Sequence, residues 1–353
     1  MENITEVGID LAKSVCHLVG INHTGRVIVK KKFRQSELLS AVNSLGSNLT
    51  VAIEACGSSH YWGRELIRHG HSPKLIPPQH VKQFRVNQKN DYNDALATGE
   101  ASLRANIHPV PVKDLDRQDL QHVLKIRERT IKEQISVVNQ LHGIFLENGY
   151  AAPKGVTNLI KFTKNLLLEE SRLSLTAREF IRDEVEVLIS LTRRIKDQND
   201  KMKYLAKEHP LIARMQSVPG VGPVTSLAIF SSVTNPYQFK SGRQFAAWLG
   251  LVPVQYSTGG KTKLGSISKK GSFPLRRLLI HGARSVVRYA EGKEDQLSLW
   301  VLQLAERKAK NVAIVALANK MARILWRIMI SPNSHYEPRL KAAPSMSKRC
   351  EAN

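Results

Sequence analysis

The chain has 353 residues, 42% hydrophobic and 24% charged, which suffices for a buried core and excludes disorder as its main state. Lys and Arg number 53 against 30 Asp and Glu, a formal net charge of +23. Such a field attracts polyanions, nucleic acid first and a merely basic, ribosome-associated role second, and it disfavours a free-standing small-molecule enzyme.

Residues 5–35 read as strand, turn, strand. EVGIDLAKSVCHLVGI is rich in β-branched residues, NHTGR supplies the turn, and RVIVKKKF alternates with Val27 and Val29 on one face. Ser36 is placed to cap a helix over SELLSAVNSL. LTVAIEA has the composition of a strand buried on both faces, HYWGRELIRHG of a helix ending at Gly70, and SPKLIPP of a further short strand before a helical stretch at HVKQFRV. The order β-β-(β)-α-β-α-β-α gives an α/β class with a mixed sheet.

From Asp114 to Asn148 apolar residues recur at three- and four-residue spacing, from Leu120 and Val123 to Leu141 and Phe145, which predicts one long amphipathic helix. A second runs from about Leu175 to Leu205. Such a pair forms an antiparallel hairpin, a dimeric coiled coil, or part of a plain bundle. HPLI (His209–Ile212) breaks the pattern. The expected domains are 1–112, a helical connector 113–208, a mainly helical C-terminal domain 209–331, and a disordered tail 332–353. Cys16, Cys56 and Cys350 are odd in number and lack a CxxC, so they suit a reducing compartment and offer no zinc site. No basic-then-apolar leader opens the chain and no run approaches ~18 apolar residues. A bacterial cytosol shared with DNA is the expected location, with no membrane partner.

Four carboxylates carry the chemistry. Asp10 lies on the first predicted strand, Glu54 at the end of LTVAIEA, and Asp91 and Asp94 in KNDYNDALAT. An acid on a buried strand is costly to desolvate without compensation. On a helix the DxxD pair projects from one face, about 5–6 Å apart at Cβ. The two also read as a helix cap and a solvated face. Four converging acids would raise one another's pKa, and divalent cations would remove that penalty. All-oxygen ligands favour Mg²⁺ or Mn²⁺. Two such ions about 3.5–4 Å apart serve phosphodiester chemistry.

In the C-terminal part, SVPGVGPVTSLAIF reads as the hairpin of a helix-hairpin-helix, with Gly220 and Gly222 open to phosphate, or as a simple helix–helix turn. No acidic residue lies between Glu208 and Glu291, a stretch that holds Lys240, Arg243, Lys261, Lys263, Lys269, Lys270, Arg276 and Arg277 among its cations. Unmixed basicity of that length points to nucleic acid. Within it, YSTGGK sets two hydroxyls before a double glycine and a lysine, a plain turn or a nucleophile loop beside a phosphate.

GIDLAK, IEACGSSHYWGREL, KNDYNDA and VPGVGPVTS…FAAWLGLVPVQYSTGGK…GSISKKGSFPLRR together resemble the DEDD transposases of insertion sequence family 110, most closely its 1111 branch. The resemblance spans roughly 5–105 and 210–290. It implies an N-terminal RuvC-like (RNase H-like) nuclease domain, a helical connector, and a C-terminal transposase domain with an active serine. Its acids carry over to Asp10, Glu54, Asp91 and Asp94, and its serine to Ser257. Thr258 is one residue nearer the glycines, and Ser266 and Ser268 are outlying candidates. The resemblance further implies donor and target DNA as substrates and a structured guide RNA from the element's own non-coding end. Exchange between two duplexes implies a homodimer that pairs into a tetramer. Two other functions remain open on the residues: a metal-dependent junction nuclease without serine chemistry, and a non-catalytic nucleic-acid-binding protein.

Overall fold

Glu6–Asp10 (β1), with four consecutive buried residues, is the middle strand of a five-stranded sheet in the computed structural model, which describes residues 4–86, 90–169 and 172–338. Val15–Ile21 (β2) and Val27–Arg34 (β3) run antiparallel beside it, and Thr50–Glu54 (β4) and Ser72–Ile76 (β5) run parallel on its other side, in the order β3-β2-β1-β4-β5. The segment read as one strand is therefore two. Leu11–Ser14 reverse the chain, so that Asp10 stands opposite His17.

Side-chain alternation assigns the two faces. Val7, Ile9, Leu18, Val51 and Ile53 share a core with Leu38 and Val42 of Leu38–Asn43 (α1) and Trp62 and Leu66 of Ser59–Arg68 (α2). The helix expected from Ser36 begins instead with a 3₁₀ turn at Gln35–Glu37, because the Glu37 carboxylate accepts the Arg34 N–H at 2.9 Å. On the other face lie Pro78–Phe84 (α3) and Asp91–Ser102 (α4). That face of β1 presents Glu6, Gly8 and Asp10, and α4 crosses it at Gly8. A Cβ on Gly8 would stand 2.1 Å from the Ala95 carbonyl and 2.7 Å from the Gly99 nitrogen. The far end of α4 is pinned where Ser102 Oγ donates to the buried Glu6 carboxylate, which also pairs with Lys74 at 3.1 Å.

The second unit spans Asp119–Asn353, the first being Met1–Gln118. Leu115–Glu147 (α5) and Leu175–Glu208 (α7) are the two long helices expected. They run antiparallel within the chain, as Arg127–Asn199 and Gln134–Thr192 hydrogen bonds of 2.7 and 2.9 Å show. Val156–Leu168 (α6), outside the predicted set, closes their end around Leu141, Phe145, Leu159 and Ile181.

A separate core gathers Pro210–Met215 (α8), Pro223–Ser232 (α9), Gly242–Trp248 (α10), Phe273–Arg288 (α11), Gln296–Arg307 (α12) and Lys310–Ile330 (α13), with Leu317, Met321 and Leu325 at its centre. The turn between α8 and α9 packs on α11. A Cβ on Gly220 would meet the Gly282 carbonyl at 2.6 Å, so Gly220 admits a helix backbone rather than a phosphate. Of the tail assigned to disorder, 332–338 pack: Arg214 donates to the Ser334 carbonyl at 3.3 Å and the Tyr336 N–H to Ser217 Oγ at 2.8 Å. Residues 339–353, Cys350 among them, lie outside the described residues.

Asp295 caps α12, accepting from the Leu297 and Ser298 N–H groups at 3.1 and 3.0 Å and from the Ser298 hydroxyl at 2.6 Å. Burial pushes its carboxyl up, but those bonds outweigh it and hold the group below its ordinary value. A depressed carboxyl stabilises the fold above its unfolded pKa, and that stability is lost as pH falls through the folded one. Asp295→Ala should cost about 1 kcal/mol in urea unfolding at neutral pH. The deficit should shrink in acid, below the ordinary carboxylate range.

Candidate active site

The alternation that puts Gly8 under α4 also puts Asp10, one step along, at the end of the same face. Glu54 follows Ala52 in the same way on β4, and Ile9 pairs with Ile53 in the parallel register. Asp10 and Glu54 therefore end adjacent strands side by side. Asn90 caps α4 by accepting the Asn93 N–H at 2.8 Å, which starts the helix over these strand ends. Asp91 and Asp94 occupy its first turn, where the helix dipole favours negative charge.

The four acids lie near enough for three of them to act on the charge of the fourth, while among the described residues the ligand atoms that come within 4.8 Å of one another are those of Asp10, Asp91 and His17. Burial pushes the Asp10 carboxyl above its ordinary value, and the charges of Asp94, Asp91 and Glu54 push it further, opposed by His17. Asp94 is buried and Asp91 exposed. This cluster differs from the other buried acid on the strand, since Glu6 has Lys74 and Ser102 for partners, whereas Asp10 has three more carboxylates.

Two residues the sequence reading missed complete the site. His17, opposite Asp10 in β2, brings Nδ1 to 3.3 Å from Asp91 Oδ2. One ligand atom from each of Asp10, His17 and Asp91 lies within 4.8 Å of the others. Arg85, just past α3, ion-pairs with Asp94. The signal for His17 was its place in the H-x-V-x-I alternation of β2, but only the strand register ties it to Asp10. The donor set suits a hard divalent cation: mutually repelling carboxylates with a nitrogen beside the oxygens expected.

Ser257 lies in the other unit. Pro253–Thr258 (β6) and Lys261–Ile267 (β7) form an antiparallel ribbon, with Ser257 opposite Thr262 and Thr258 opposite Lys261. Gly259 and Gly260, at φ of 56° and 75°, make the two-residue turn. Ser257 and Thr258 thus face opposite sides of the ribbon. Ser257 is exposed, and its Oγ accepts from Gln255 Nε2 at 2.7 Å. Ser266 lies on β7, and the Ser268 N–H donates to the Val252 carbonyl at 2.8 Å.

Of the cations expected to meet phosphate, Lys240, Arg243, Lys261, Lys263, Lys269 and Lys270 are exposed. Arg276 is a correction. It is buried and donates to the Leu249 and Lys270 carbonyls at 3.1 and 3.3 Å, so its guanidinium ties down the root of the ribbon. Arg277 shares its charge with Glu128 at 3.1 Å.

Two family profiles match. One, described as Transposase, of the DEDD type of IS110, covers residues 7–148 and so all four acids. The other, Transposase IS116/IS110/IS902 family, covers 212–297 and so Ser257. The chain is 39% identical over 331 residues to the transposase for insertion sequence element IS1111A of Coxiella burnetii, covering 93% of this chain and 90% of that one. To the transposase for insertion sequence element IS1328 of Yersinia enterocolitica it is 32% identical, over 92% and 97%. A sheet with clustered strand-end acids, followed by a basic helical unit, is thus the frame of a DNA-cutting and DNA-joining enzyme. The chain belongs to the IS110/IS1111 family of insertion-sequence transposases. No helix among the described residues is long and apolar enough to cross a membrane.

Divalent cations should raise the melting temperature of the intact chain, because they relieve the repulsion around Asp10. Asp10→Asn should melt a few degrees higher than the native chain in EDTA and gain little from Mg²⁺ or Mn²⁺; calorimetry of both proteins with and without metal checks this. Lys269→Ala with Lys270→Ala should flatten the log–log salt dependence of nucleic-acid binding, as read in a salt titration. The slope should fall by roughly 0.7–0.9 for every phosphate that the variant no longer neutralises.

Proposed function

We propose that this transposase is a DNA recombinase that cuts and rejoins donor and target DNA with its four acids and Ser257, directed by a structured RNA from its own element. The observation that carries the reading is the convergence of Asp94, Asp91 and Glu54 on a half-buried Asp10 in a chain of net charge +23. A mixed sheet with acids at adjacent strand ends and on a covering helix supports the RuvC-like assignment of this unit.

Asp10, Glu54, Asp91 and Asp94 would hold Mg²⁺ or Mn²⁺, with His17 beside Asp10 and Asp91 as a further ligand. A bound divalent cation supplies Lewis acidity to a phosphate and lowers the pKa of a hydroxyl near it. Ser257 would attack the scissile phosphorus. Its Oγ forms a phosphoester bond as the bond to a DNA sugar oxygen breaks, the serine proton is released, and the leaving oxygen takes up a proton. The phosphodiester energy stays in the covalent link, and a sugar hydroxyl of the other duplex reverses the step to join the strands.

The Ser257 hydroxyl has Gln255, not a base, as its hydrogen-bond partner among the described residues. On this reading its activation comes from groups outside its own ribbon, and the four acids with the cation they would hold are the candidate source. Guide RNA fits the exposed cations of 240–270 as well as DNA does. Two duplexes require more than one active site, which supports a dimer that pairs into a tetramer.

Ser257→Ala should bind RNA and DNA with native affinity and form no protein–DNA adduct on a denaturing gel with end-labelled DNA. Peptide mapping of the native adduct should return Ser257. An adduct on Thr258 would shift the nucleophile by one residue, and strands ending in free hydroxyls without any adduct would establish the metal-dependent nuclease in its place.

A further inference from the structure

α13 carries no acidic residue over its 21 residues, and Lys320, Arg323 and Arg327 recur along it at helical spacing on one side. Gly242, the first residue of α10, brings that helix directly onto α13: a Cβ there would lie 3.1 Å from Arg323 Cα. The approach sets Arg243 with Lys320, Arg323 and Arg327 around a cleft of about 630 Å³ that no acidic side chain lines among the described residues. Glu337, beyond Arg327, pairs with His335 at 3.1 Å. Burial and the Arg323 charge hold the Lys320 ammonium below its ordinary value, so the cationic charges crowd one another.

A second cavity, of about 690 Å³, shares Lys320 and Arg323 with the first. Its walls are mainly apolar, with Leu251, Ile267, Val312, Val315 and Trp300, whose ring centroid lies 4.0 Å from Lys320 Nζ, and with Asn311 and Asn319 as polar groups among them. Leu251, Pro253 and Ile267 are at the root of the ribbon that carries Ser257.

The pairing of the two cavities selects the ligand. A duplex backbone would satisfy the cations and leave the apolar cavity unused. A free phosphate would do the same. One nucleotide out of its stack uses both, with its base withdrawn from water against the apolar walls and its phosphates on the cations. The ribbon root joins this cleft to the proposed nucleophile, which favours DNA at the cut over RNA. We infer that the joined cleft of α10, α12, α13 and the ribbon root takes one unpaired nucleotide of the DNA strand flanking the cut. The DNA assignment rests on the Ser257 reading, whereas the nucleotide site itself does not.

The test measures binding of the full chain in EDTA, so that cutting does not enter the readout and the fate of the Ser257 adduct is a separate result. The probes are two hairpin DNA duplexes, one fully paired and one with a single bulged 2-aminopurine. The native chain should bind the bulged duplex about tenfold more tightly than the paired one, with a saturable change in 2-aminopurine emission. Val312 is 53% exposed, so Val312→Glu should fold as the native chain does. It should abolish the preference while leaving paired-duplex affinity within about twofold, given the modest effect of one surface charge. Ala316→Leu, which fills the same cavity, should do likewise, and Arg323→Glu should weaken both duplexes. Equal native affinity for the two duplexes, or a preference that survives both Val312→Glu and Ala316→Leu, would overturn the site. A bulged RNA of the same sequence that binds more tightly than the DNA, with the same sensitivity to Val312→Glu, would overturn the DNA assignment.

Discussion

The close approach of α4 to β1 at Gly8 is the constraint on which the acid site depends. With Ala95 carbonyl and Gly99 backbone against Gly8, the helix lies almost directly on the strand, and no side chain at that position could hold it off. Glu6, Gly8 and Asp10 then act as three stations along one face: a hydrogen-bonded pin to Ser102, a backbone contact, and the start of the acid cluster. Sliding α4 by one turn, about 5.4 Å, would carry Asp91 and Asp94 away from the strand ends. The position of the carboxylates is thus decided by packing some distance away, at residues with no chemistry of their own.

That packing works against electrostatics. The first turn of α4 brings two acids to two others and so drives the Asp10 carboxyl up. Local charges offset part of the cost. The helix N-terminus favours Asp91 and Asp94, His17 opposes the shift at Asp10, and Arg85 pairs with Asp94. The fold keeps the arrangement through buried apolar contacts on both sheet faces rather than through charge balance. Sites that store repulsion in this way are suited to a cation that arrives from solution.

Much of this was legible before the structure. The long helices α5 and α7, the acids on strand ends and the DxxD helix follow from periodicity and residue type, which are local signals. What escaped depends on register. Val7, Ile9, Val15, Leu18, Val19 and Ile21 make EVGIDLAKSVCHLVGI read as strand overall and mask the weak reversal signal of Ala12, Lys13 and Ser14, and without the reversal His17 cannot be matched to Asp10. Arg276 escaped for the opposite reason. In sequence it is one more cation in a basic run, and only the Leu249 and Lys270 carbonyls above it reveal a buried structural role. The ribbon was hidden because Y-S-T-G-G-K-T-K is polar throughout and both its strands are almost fully exposed, which leaves no hydrophobic alternation to read.

The exposed ribbon has a consequence for how a serine there could act. Its root is fixed by the Arg276 guanidinium and by the Ser268 N–H on the Val252 carbonyl, whereas its outer half meets solvent on both sides. Such a two-stranded arm is stable in position at its base and weakly held at its tip, since a lone hairpin has little apolar area to bury. Ser257 stands one residue short of the turn, on the weakly held half. On the proposed reading, a nucleophile so placed would gain its alignment from the nucleic acid it binds; Lys261 and Lys263 lie on the Thr258 face of the ribbon rather than on that of Ser257 and would order the arm from its other side. An isolated chain with an ordered, activated serine would attack the phosphodiester of any passing strand. On the proposed reading, a hydroxyl on an arm with no base against it among the described residues would be reactive only in complexes that supply both the phosphate and its activation.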